Sequence, residues 1–448
     1  MSFAGIILLI ILIVRFLSKG IKGYKYFLFK TSLLVSMFVN IGYMIHFNIV
    51  IDYNFFMMYI YVFYCIIEFI ISKNKNIKIR EKSILSIILL ISVIVIGFLN
   101  LRNNTELAMI APWDVIIDNI AYGKESLIRP TFSKYNISAF RDIIFFILYC
   151  YFSYEFLSKK SYINDLIKSI KNTFYIFFIF IIVESFIDNF IAVNFVRNVI
   201  NNIFAAGDRT YIIAEKRYGI YSAYGLFSEP SYVGSIMIIF YSIMYVGGLK
   251  SIKERLFFFL SFIVIILSGS SVSFLMIPLG ILVVIKNYLK INKEIMIKIV
   301  FIIVSVPIAV YIVTLISNSG VEMIEYTINK LLAYFGGNRI DGSGYSRSFG
   351  NRVCYNVFRV NPIFGVGLGT TRGFGIIPGL VANLGIAGVI SYILFIKNNL
   401  NICITKNNFF IFVIFIIYLT SIFSIWHIYT PIMIALVLFM NKTLIKEK

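Results

Sequence analysis

Read as a string of apolar and polar positions, the chain alternates long hydrophobic runs with short polar interruptions. Runs such as SILSIILLISVIVIGFLNL (83–101) and KIVFIIVSVPIAVYIVTLIS (298–317) approach the roughly 20 apolar residues that a helix needs to cross about 30 Å of hydrocarbon. The pattern recurs along the whole length and predicts about thirteen helices, centred on 2–17, 31–47, 53–72, 83–101, 140–157, 173–194, 232–249, 256–268, 272–286, 298–317, 377–396, 409–425 and 430–441. The fold class expected is an all-α polytopic integral membrane protein, with about 12–14 transmembrane helices and large, partly helical extracytoplasmic loops. No repeat of the solenoid type is visible and the two halves do not mirror each other, so residues 1–448 read as a single polytopic membrane domain.

Composition supports this reading. Of the 448 residues, 60% are hydrophobic and 14% charged, and the mean hydropathy is +0.89, which leaves too little polar surface to coat a water-soluble globule. The first run, SFAGIILLIILIVRFL, lacks a basic leader and an A-x-A cleavage site, which predicts a permanent first span. In a soluble protein a net charge of +20 would suggest nucleic acid; here loops that orient the chain account for most of it, and no nucleic-acid partner is expected. The lysine-rich segments SKGIKGYKY, KNKNIKIREK, SKKSYINDLIKSIK, KSIKER, KNYLKINKEIMIK and KNNLNICITKNN alternate with poorly basic or long connections. Retention of basic loops in the cytoplasm then predicts a multi-pass protein of the plasma (inner) membrane, with its N-terminus outside and its C-terminus cytoplasmic. The cysteines Cys65, Cys150, Cys354 and Cys403 are scattered and make neither a disulfide framework nor a CxxC metal site.

Sorting the loops by side exposes a second asymmetry. Inner-loop cations are nearly all lysines, whereas the outer loops hold Arg102, Arg129, Arg197, Arg209, Arg217, Arg339, Arg347, Arg352, Arg359 and Arg372. A guanidinium offers a planar fork for phosphate or carboxylate, so this face points to recognition of an anionic group; the plainer alternative is that arginine is merely permitted there. The three long outer loops, about 102–139, 195–231 and 318–376, contain Trp113, Tyr211, Tyr218, Tyr221, Tyr224, Phe335, Tyr345 and Tyr355, a content that favours ordered, functional loops.

The stretch RYGIYSAYGLFSEPSYVG, 217–234, carries a charge on each side of a turn-rich segment just before a span. Pro230 suits the first turn of a helix, and Ser228 or Glu229 is placed to cap it. An anion can rest against the positive end of that helix, or the glutamate can serve only as a dipole-matched cap. Arg217, together with Tyr218, Tyr221 and Tyr224 as stacking surfaces for sugar rings, tips the reading toward a site.

At these residues the chain resembles a known family. An arginine followed by G-x-F-x-E-P-S at the head of a span is similar to the Wzy-type O-antigen polymerases, grouped with the O-antigen ligases. SRSFGNRVCYNVFRVNPIFGVGLGT (346–370), in which arginines precede N-P-x-x-G-x-G-x-G, is a second matching block, and NLGIAGVISYILF (383–395) resembles the GxxG start of the helix after the large outer loop. GVGLG has no preceding strand, so it is not a nucleotide fingerprint; it reads either as a flexible re-entry linker or as a close backbone approach to phosphate or sugar, with Asn361 and Pro362 fixing the turn. One departure is informative. The ligases carry a histidine shortly before the GxxG, where this chain has Arg372 and Phe374; its two histidines are His46 and His427. That favours polymerase over ligase.

The resemblance implies transfer of a growing glycan from undecaprenyl diphosphate to the terminal sugar of a lipid-linked repeat unit on the extracytoplasmic face, with no cofactor and no metal. It implies an undecaprenyl-diphosphate-linked oligosaccharide as substrate, and a chain-length regulator and a flippase as partners. The residues expected to carry the chemistry are Glu229, Arg217 and Arg352. Arginines can neutralise the charge developing on the lipid diphosphate. Glu229 either takes the proton of the acceptor hydroxyl or pairs with Arg217 to shape the loop. Arg209, Arg347 and Arg372, with Tyr218, Tyr224 and Asn361, complete the substrate- and phosphate-binding set. Glu68, Glu155, Glu184 and Asp188 lie in or near apolar runs, where an unpaired charge costs at least about 2.5–3.5 kcal/mol, so they are expected to face the bundle or an aqueous cavity. As a relay they would fit a rival class, a flippase or transporter of lipid-linked oligosaccharide.

Overall fold

The computed structural model describes residues 2–18, 21–35, 37, 43–46, 50–71, 80–103, 109–110, 127–128, 132, 134–204, 216–217, 220–227, 230–274, 276–288, 353–371 and 376–400. It is predominantly helical. The chain divides into two compact units, one of Met1–Ile71, Ser158–Glu325 and Met440–Lys448, the other of Ser72–Leu157 and Tyr326–Phe439.

The first unit contains α1 (Phe3–Ser18), α2 (Ile21–Val35), the hairpin β1 (Tyr43–His46) and β2 (Val50–Asp52), and α3 (Tyr53–Ile71). The apolar-run reading placed a span over 31–47. The helix instead occupies Ile21–Val35 and the chain then turns into the β1–β2 hairpin. The shift has a visible cause: the polar residues that interrupted the run are neutralised inside the unit, Lys25 by Glu68 of α3 at 2.9 Å and Lys30 by Asp165 at 2.8 Å, with the Tyr26 hydroxyl donating to the same carboxylate.

Asp165 belongs to α6 (Lys160–Phe190), the long helix around which this unit is organised. It starts thirteen residues before the span expected at 173–194, because Lys171 finds Glu254 at 2.6 Å and the basic first turns can therefore stay helical against a neighbour. Glu254 opens α9 (Ile252–Ser268), whose N-terminus is closed by a Ser251–Glu254 capping box. Rings knit the contacts. Tyr175 stacks on Phe257 at 4.1 Å, and Phe174 and Phe178 enclose Phe240 of α8 (Ser231–Gly247) at 5.1 and 4.9 Å. Downstream, α10 (Ser271–Phe274) and α11 (Ile277–Tyr288) replace the single helix expected at 272–286.

In the second unit, α4 (Glu81–Asn103) and α5 (Lys134–Leu157) pack on α12 (Ile376–Leu400). The hydroxyl of Ser83 donates to Asn399 and Asn398 donates to the Lys82 carbonyl at 3.1 Å. Phe146 meets Phe395 edge-on at 5.9 Å, and the Arg80 guanidinium lies 3.9 Å from the Tyr154 ring and 4.8 Å from that of Tyr151. A short pair, β3 (Met109–Ile110) with β4 (Leu127–Ile128), lies in the first long loop. The ladders are small departures from an all-helical chain.

Four helices among the described residues, Glu81–Asn100, Asn136–Leu157, Lys160–Phe190 and Ile377–Leu400, are long and apolar enough to cross a membrane. α6 shows which way they face. Ile176, Ile179, Val183, Phe186 and Phe190 recur every three or four residues and are exposed, Phe190 by 79%, while Glu184 and Asp188 on another face are buried. A water-soluble helix carries the reverse arrangement. The expected spans at 298–317, 409–425 and 430–441 lie outside the described residues.

Candidate functional site

At the C-terminal end of α6 the chain turns through Asn194, whose φ of 62° is the left-handed conformation that asparagine tolerates, and folds back as α7 (Phe195–Phe204). The turn carries Arg197 to Glu184. Both side chains are buried, at 1% and 0% exposure, and the guanidinium Nη2 pairs with Glu184 Oε1. Such a pair survives in an apolar interior only when its remaining polar atoms are also engaged. Most are engaged by one segment, 221–227, which leads into the E-P-S motif.

The segment is held at four points. Glu184 Oε2 accepts from the backbone N–H of Tyr224 at 3.1 Å and of Gly225 at 2.6 Å. Arg197 Nη1 donates to the Phe227 carbonyl at 3.0 Å, and its guanidinium carbon lies 3.4 Å from the Tyr224 ring centroid. Asn189, one turn along α6, brackets Tyr221 by accepting from its N–H at 2.8 Å and donating to its carbonyl at 3.3 Å. Finally, the Ala223 N–H donates to the Leu267 carbonyl at 3.0 Å, at the end of α9. Gly225 has φ of 63°, and a Cβ there would come within 2.5 Å of the Phe177 ring, so only glycine lets the backbone reach the carboxylate.

Ahead of this segment, Lys216 and Arg217 form β5 (Lys216–Arg217), paired antiparallel with β6 (Ile220–Tyr221), Arg217 standing opposite Ile220. Behind it, α8 begins at Ser231 with Pro230 as its N-cap, at φ −60°. Its φ of −60° and ψ of −28° are already helical, so Pro230 stands at the start of the helix as the sequence reading expects, while the expected caps Ser228 and Glu229 lie outside the described residues. Tyr224 differs from expectation. Its side chain is 1% exposed and lies against Arg197, so it supports the segment from within instead of presenting an open sugar-stacking face. Glu229, Arg209 and Tyr218 lie outside the described residues. Beside the segment, a cavity of about 590 Å³ opens between α6 and α7, its lining including Phe177, Val183, Ile187, Val196, Ile200 and Leu226.

The glycine block of the second unit has its own logic. α12 is broken at Gly385, where φ is 63° and ψ −168°. The groups freed by the break are taken up by the block: Val366 N–H donates to the Ala382 carbonyl at 3.2 Å and Gly367 N–H to the Asn383 carbonyl at 2.9 Å. In return Ile386 and Ala387 donate to the carbonyls of Pro362 and Ile363 at 2.8 and 3.0 Å. The Asn383 side chain completes the clasp, its Oδ1 accepting from the N–H of Thr370 and Thr371 at 3.0 Å each and its Nδ2 donating to the carbonyls of Thr371 and Gly379. From α5, Asn136 donates to the Leu368 carbonyl and the Thr370 hydroxyl, both at 2.9 Å. Neither earlier reading of the block fits. It is held by hydrogen bonds along its length, and the close backbone approach that its glycines permit is to other elements of the unit, Gly365 to the Asn383 backbone of α12 and Gly367 to Gly97 of α4. The amides of Gly365, Val366, Gly367, Thr370 and Thr371 are spent inside the chain, Gly365 on the Asn361 carbonyl at 3.1 Å. Asn361 is half-buried at the head of this turn, and Arg347, Arg352 and Arg372 lie outside the described residues.

Sequence reasoning missed the Glu184–Arg197 pair. Glu184 was placed among the buried acids and Arg197 among the outer arginines, and only the left-handed turn at Asn194, a residue type that permits it, could have hinted that the two meet. The fold and this site together define a helical protein with several apolar helices of membrane-crossing length. Comparison of the chain with protein-family models, with curated proteins and with solved structures finds no match.

Proposed function

We propose that this chain is a multi-pass membrane glycan polymerase of the Wzy type, which moves a growing polysaccharide from undecaprenyl diphosphate to the terminal sugar of a lipid-linked repeat unit at the extracytoplasmic face. The observation that carries the reading is the fixed segment 221–227. It sits between Arg217 and Glu229, two of the three residues assigned to chemistry, and four anchors keep it from behaving as a loose connection. An active site for an anionic lipid needs its arginine and its base held in register by supporting structure. The apolar cavity beside the segment offers the surface that an isoprenoid chain requires.

In this proposal arginine guanidinium groups, Arg217 foremost, neutralise the lipid diphosphate as the bond to the glycan anomeric carbon breaks. The acceptor hydroxyl forms the new glycosidic bond and gives its proton to Glu229. Of the acids that suggested a transporter, Glu68 and Glu184 are each committed to an ion pair, which favours the enzyme. Purified protein mixed with lipid-linked repeat units in detergent tests the proposal: a polymerase lengthens the glycans, a flippase leaves them unchanged, and a ligase moves finished polymer to a different acceptor. In cells, Arg217→Ala, Glu229→Ala and Arg352→Ala at normal protein level are expected to leave single-repeat glycans. Long chains in all three would reject the assignment.

A further inference from the structure

The cavity beside the segment 221–227 runs along one stripe of α6, from Thr173 to Ile187, and is bounded by α7 and by Leu226. Among its lining residues, Thr173 and Glu184 carry polar groups, and both are engaged elsewhere. The Thr173 hydroxyl donates to the Ser169 carbonyl at 3.0 Å, and the Glu184 carboxylate serves Arg197 and the amides of Tyr224 and Gly225. A space of about 590 Å³ without polar partners does not hold water, and its size is that of a ligand pocket, about 300–1,000 Å³. The mouth opens sideways. Ile176 and Val183 belong both to the wall and to the outward stripe of α6, at 71% and 47% exposure, and α6 is long and apolar enough to cross a membrane. Hydrocarbon is therefore what meets the opening. The α6 wall measures about 21 Å at about 1.5 Å per residue, whereas one leaflet is about 15 Å deep, half of a hydrocarbon core of about 30 Å. An acyl chain rooted in one headgroup layer stops near the midplane. An isoprenoid tail longer than a leaflet can follow the whole wall.

The segment belongs to the same wall. Leu226 lines the cavity directly. Phe177, another lining residue, lies against Gly225 and meets Phe227 edge-on at 4.9 Å, and Glu184 holds the Tyr224 and Gly225 amides. An occupant therefore touches one side chain of the segment and two residues that keep the segment in place. We propose that the cavity seats the isoprenoid tail of the lipid-linked substrate, and that an occupied seat holds the segment 221–227 in its ordered position. The seat is complete only while Leu226 stands in its wall, so tail binding and segment ordering strengthen each other through thermodynamic linkage. The order passes on to Arg217, because Tyr221 of the segment belongs to β6, which pairs with the Arg217 strand. Tail binding thus prepares the headgroup site. The identity of the lipid rests on the glycan-transfer reading; the seat and its coupling to the segment rest on the geometry of the wall.

The test needs no glycan. Purified protein in detergent is titrated with undecaprenyl phosphate, which carries the long tail alone. Parallel titrations use farnesyl phosphate, with the same headgroup on a tail too short to run the wall, and dioleoylphosphatidylglycerol, whose chains reach one leaflet's depth. Amide hydrogen exchange of peptides covering 221–227 reads the segment. Undecaprenyl phosphate is expected to slow this exchange at least roughly tenfold, the factor 1 + [L]/Kd reached near ten times Kd when opening the segment dismantles the seat. The other two lipids are expected to leave it unchanged at the same concentrations. Val199→Trp fills the cavity from α7 and is expected to abolish the response; if it accumulates poorly, Phe180→Trp fills the cavity from α6. Equal slowing by phosphatidylglycerol gives the seat to ordinary membrane lipid. No slowing by any of the three leaves the cavity to another segment of this chain or to a second copy, and a response that survives the filling variants puts the tail elsewhere. Each of these results overturns the proposal. The glycan-lengthening assay separates the two readings: slowed exchange in a protein that lengthens no glycan keeps the seat and removes the transfer reading, and lengthening with unchanged exchange does the reverse.

Discussion

Replacing Arg197 with methionine removes the guanidinium from the buried pair while keeping much of the side-chain volume. Glu184 would then be left as a buried carboxylate with its two amide donors but no counter-charge, and breaking a buried pair from one side costs about 3–5 kcal/mol. At about 2–4 °C per kcal/mol for a large cooperative unit, the unfolding midpoint in detergent falls by about 6–20 °C. Glu184→Gln makes the complementary break: its amide oxygen still accepts from Tyr224 and Gly225, but Arg197 is stranded. The double variant removes both charges at once. Its loss is expected to be smaller than the sum of the singles by about 2–3 kcal/mol, because the stranded charge that dominates each single variant no longer exists. Unfolding midpoints of the four proteins, measured at one pH and one detergent concentration, give the coupling. Additivity within about 0.5 kcal/mol would refute the reasoning, since it would mean that the pair contributes nothing as a pair.

Other consequences can be checked separately. Gly385→Ala places a Cβ within 2.3–2.6 Å of the Ile363–Phe364 backbone at a positive φ, so it is expected to cost more than about 3 kcal/mol and to abolish accumulation of folded protein; a midpoint within a few degrees of wild type would show that the clasp is dispensable. Asn383→Leu removes the acceptor of the Thr371 N–H and the donor to the Thr371 carbonyl, and leaves the Thr370 N–H only its longer bond to the Gly367 carbonyl, at about 1–3 kcal/mol for each group left unsatisfied, and increased protease cleavage within 361–371 reports it. Burial pushes the Cys354 thiol up to about 12, so this cysteine is expected to resist maleimide at neutral pH until the protein is unfolded. Burial alone would raise the Glu254 carboxyl, but the Lys171 hydrogen bond and the Ser251 and Lys250 amides outweigh it and hold it below the ordinary glutamate value. Its stabilisation is therefore complete above the unfolded-state pKa and is lost as pH falls through the lowered folded value. Wild type is expected to be more stable than Glu254→Gln near neutrality and to lose that advantage in acid, as thermal melts across the acid range would show.

The sequence by itself determined that the chain is helical and apolar, because a run of hydrophobic residues long enough to cross hydrocarbon has one way to satisfy its backbone there, and that requirement is local. For the same reason the helices expected at 2–17, 53–72 and 83–101 match α1, α3 and α4 closely, α4 alone of the three being long and apolar enough to cross a membrane. It also marked E-P-S as the head of a helix, since the constraint of Pro230 acts within a turn. Where polar residues entered the runs, local reading failed. Lys25, Lys30 and Lys171 sit within helices that the hydrophobic pattern started too late, and only carboxylates supplied by other helices make their burial tolerable. The Glu184–Arg197 pair is a stronger case: nothing local links Glu184 to Arg197 and both to Gly225, and the two side chains meet only after a left-handed turn has folded α7 back. The glycine block teaches the same lesson in reverse. Its composition announced a close approach of backbone, but what it approaches, the break at Gly385, lies in another element, and which atoms fill a hydrogen-bonding vacancy is decided by tertiary structure alone.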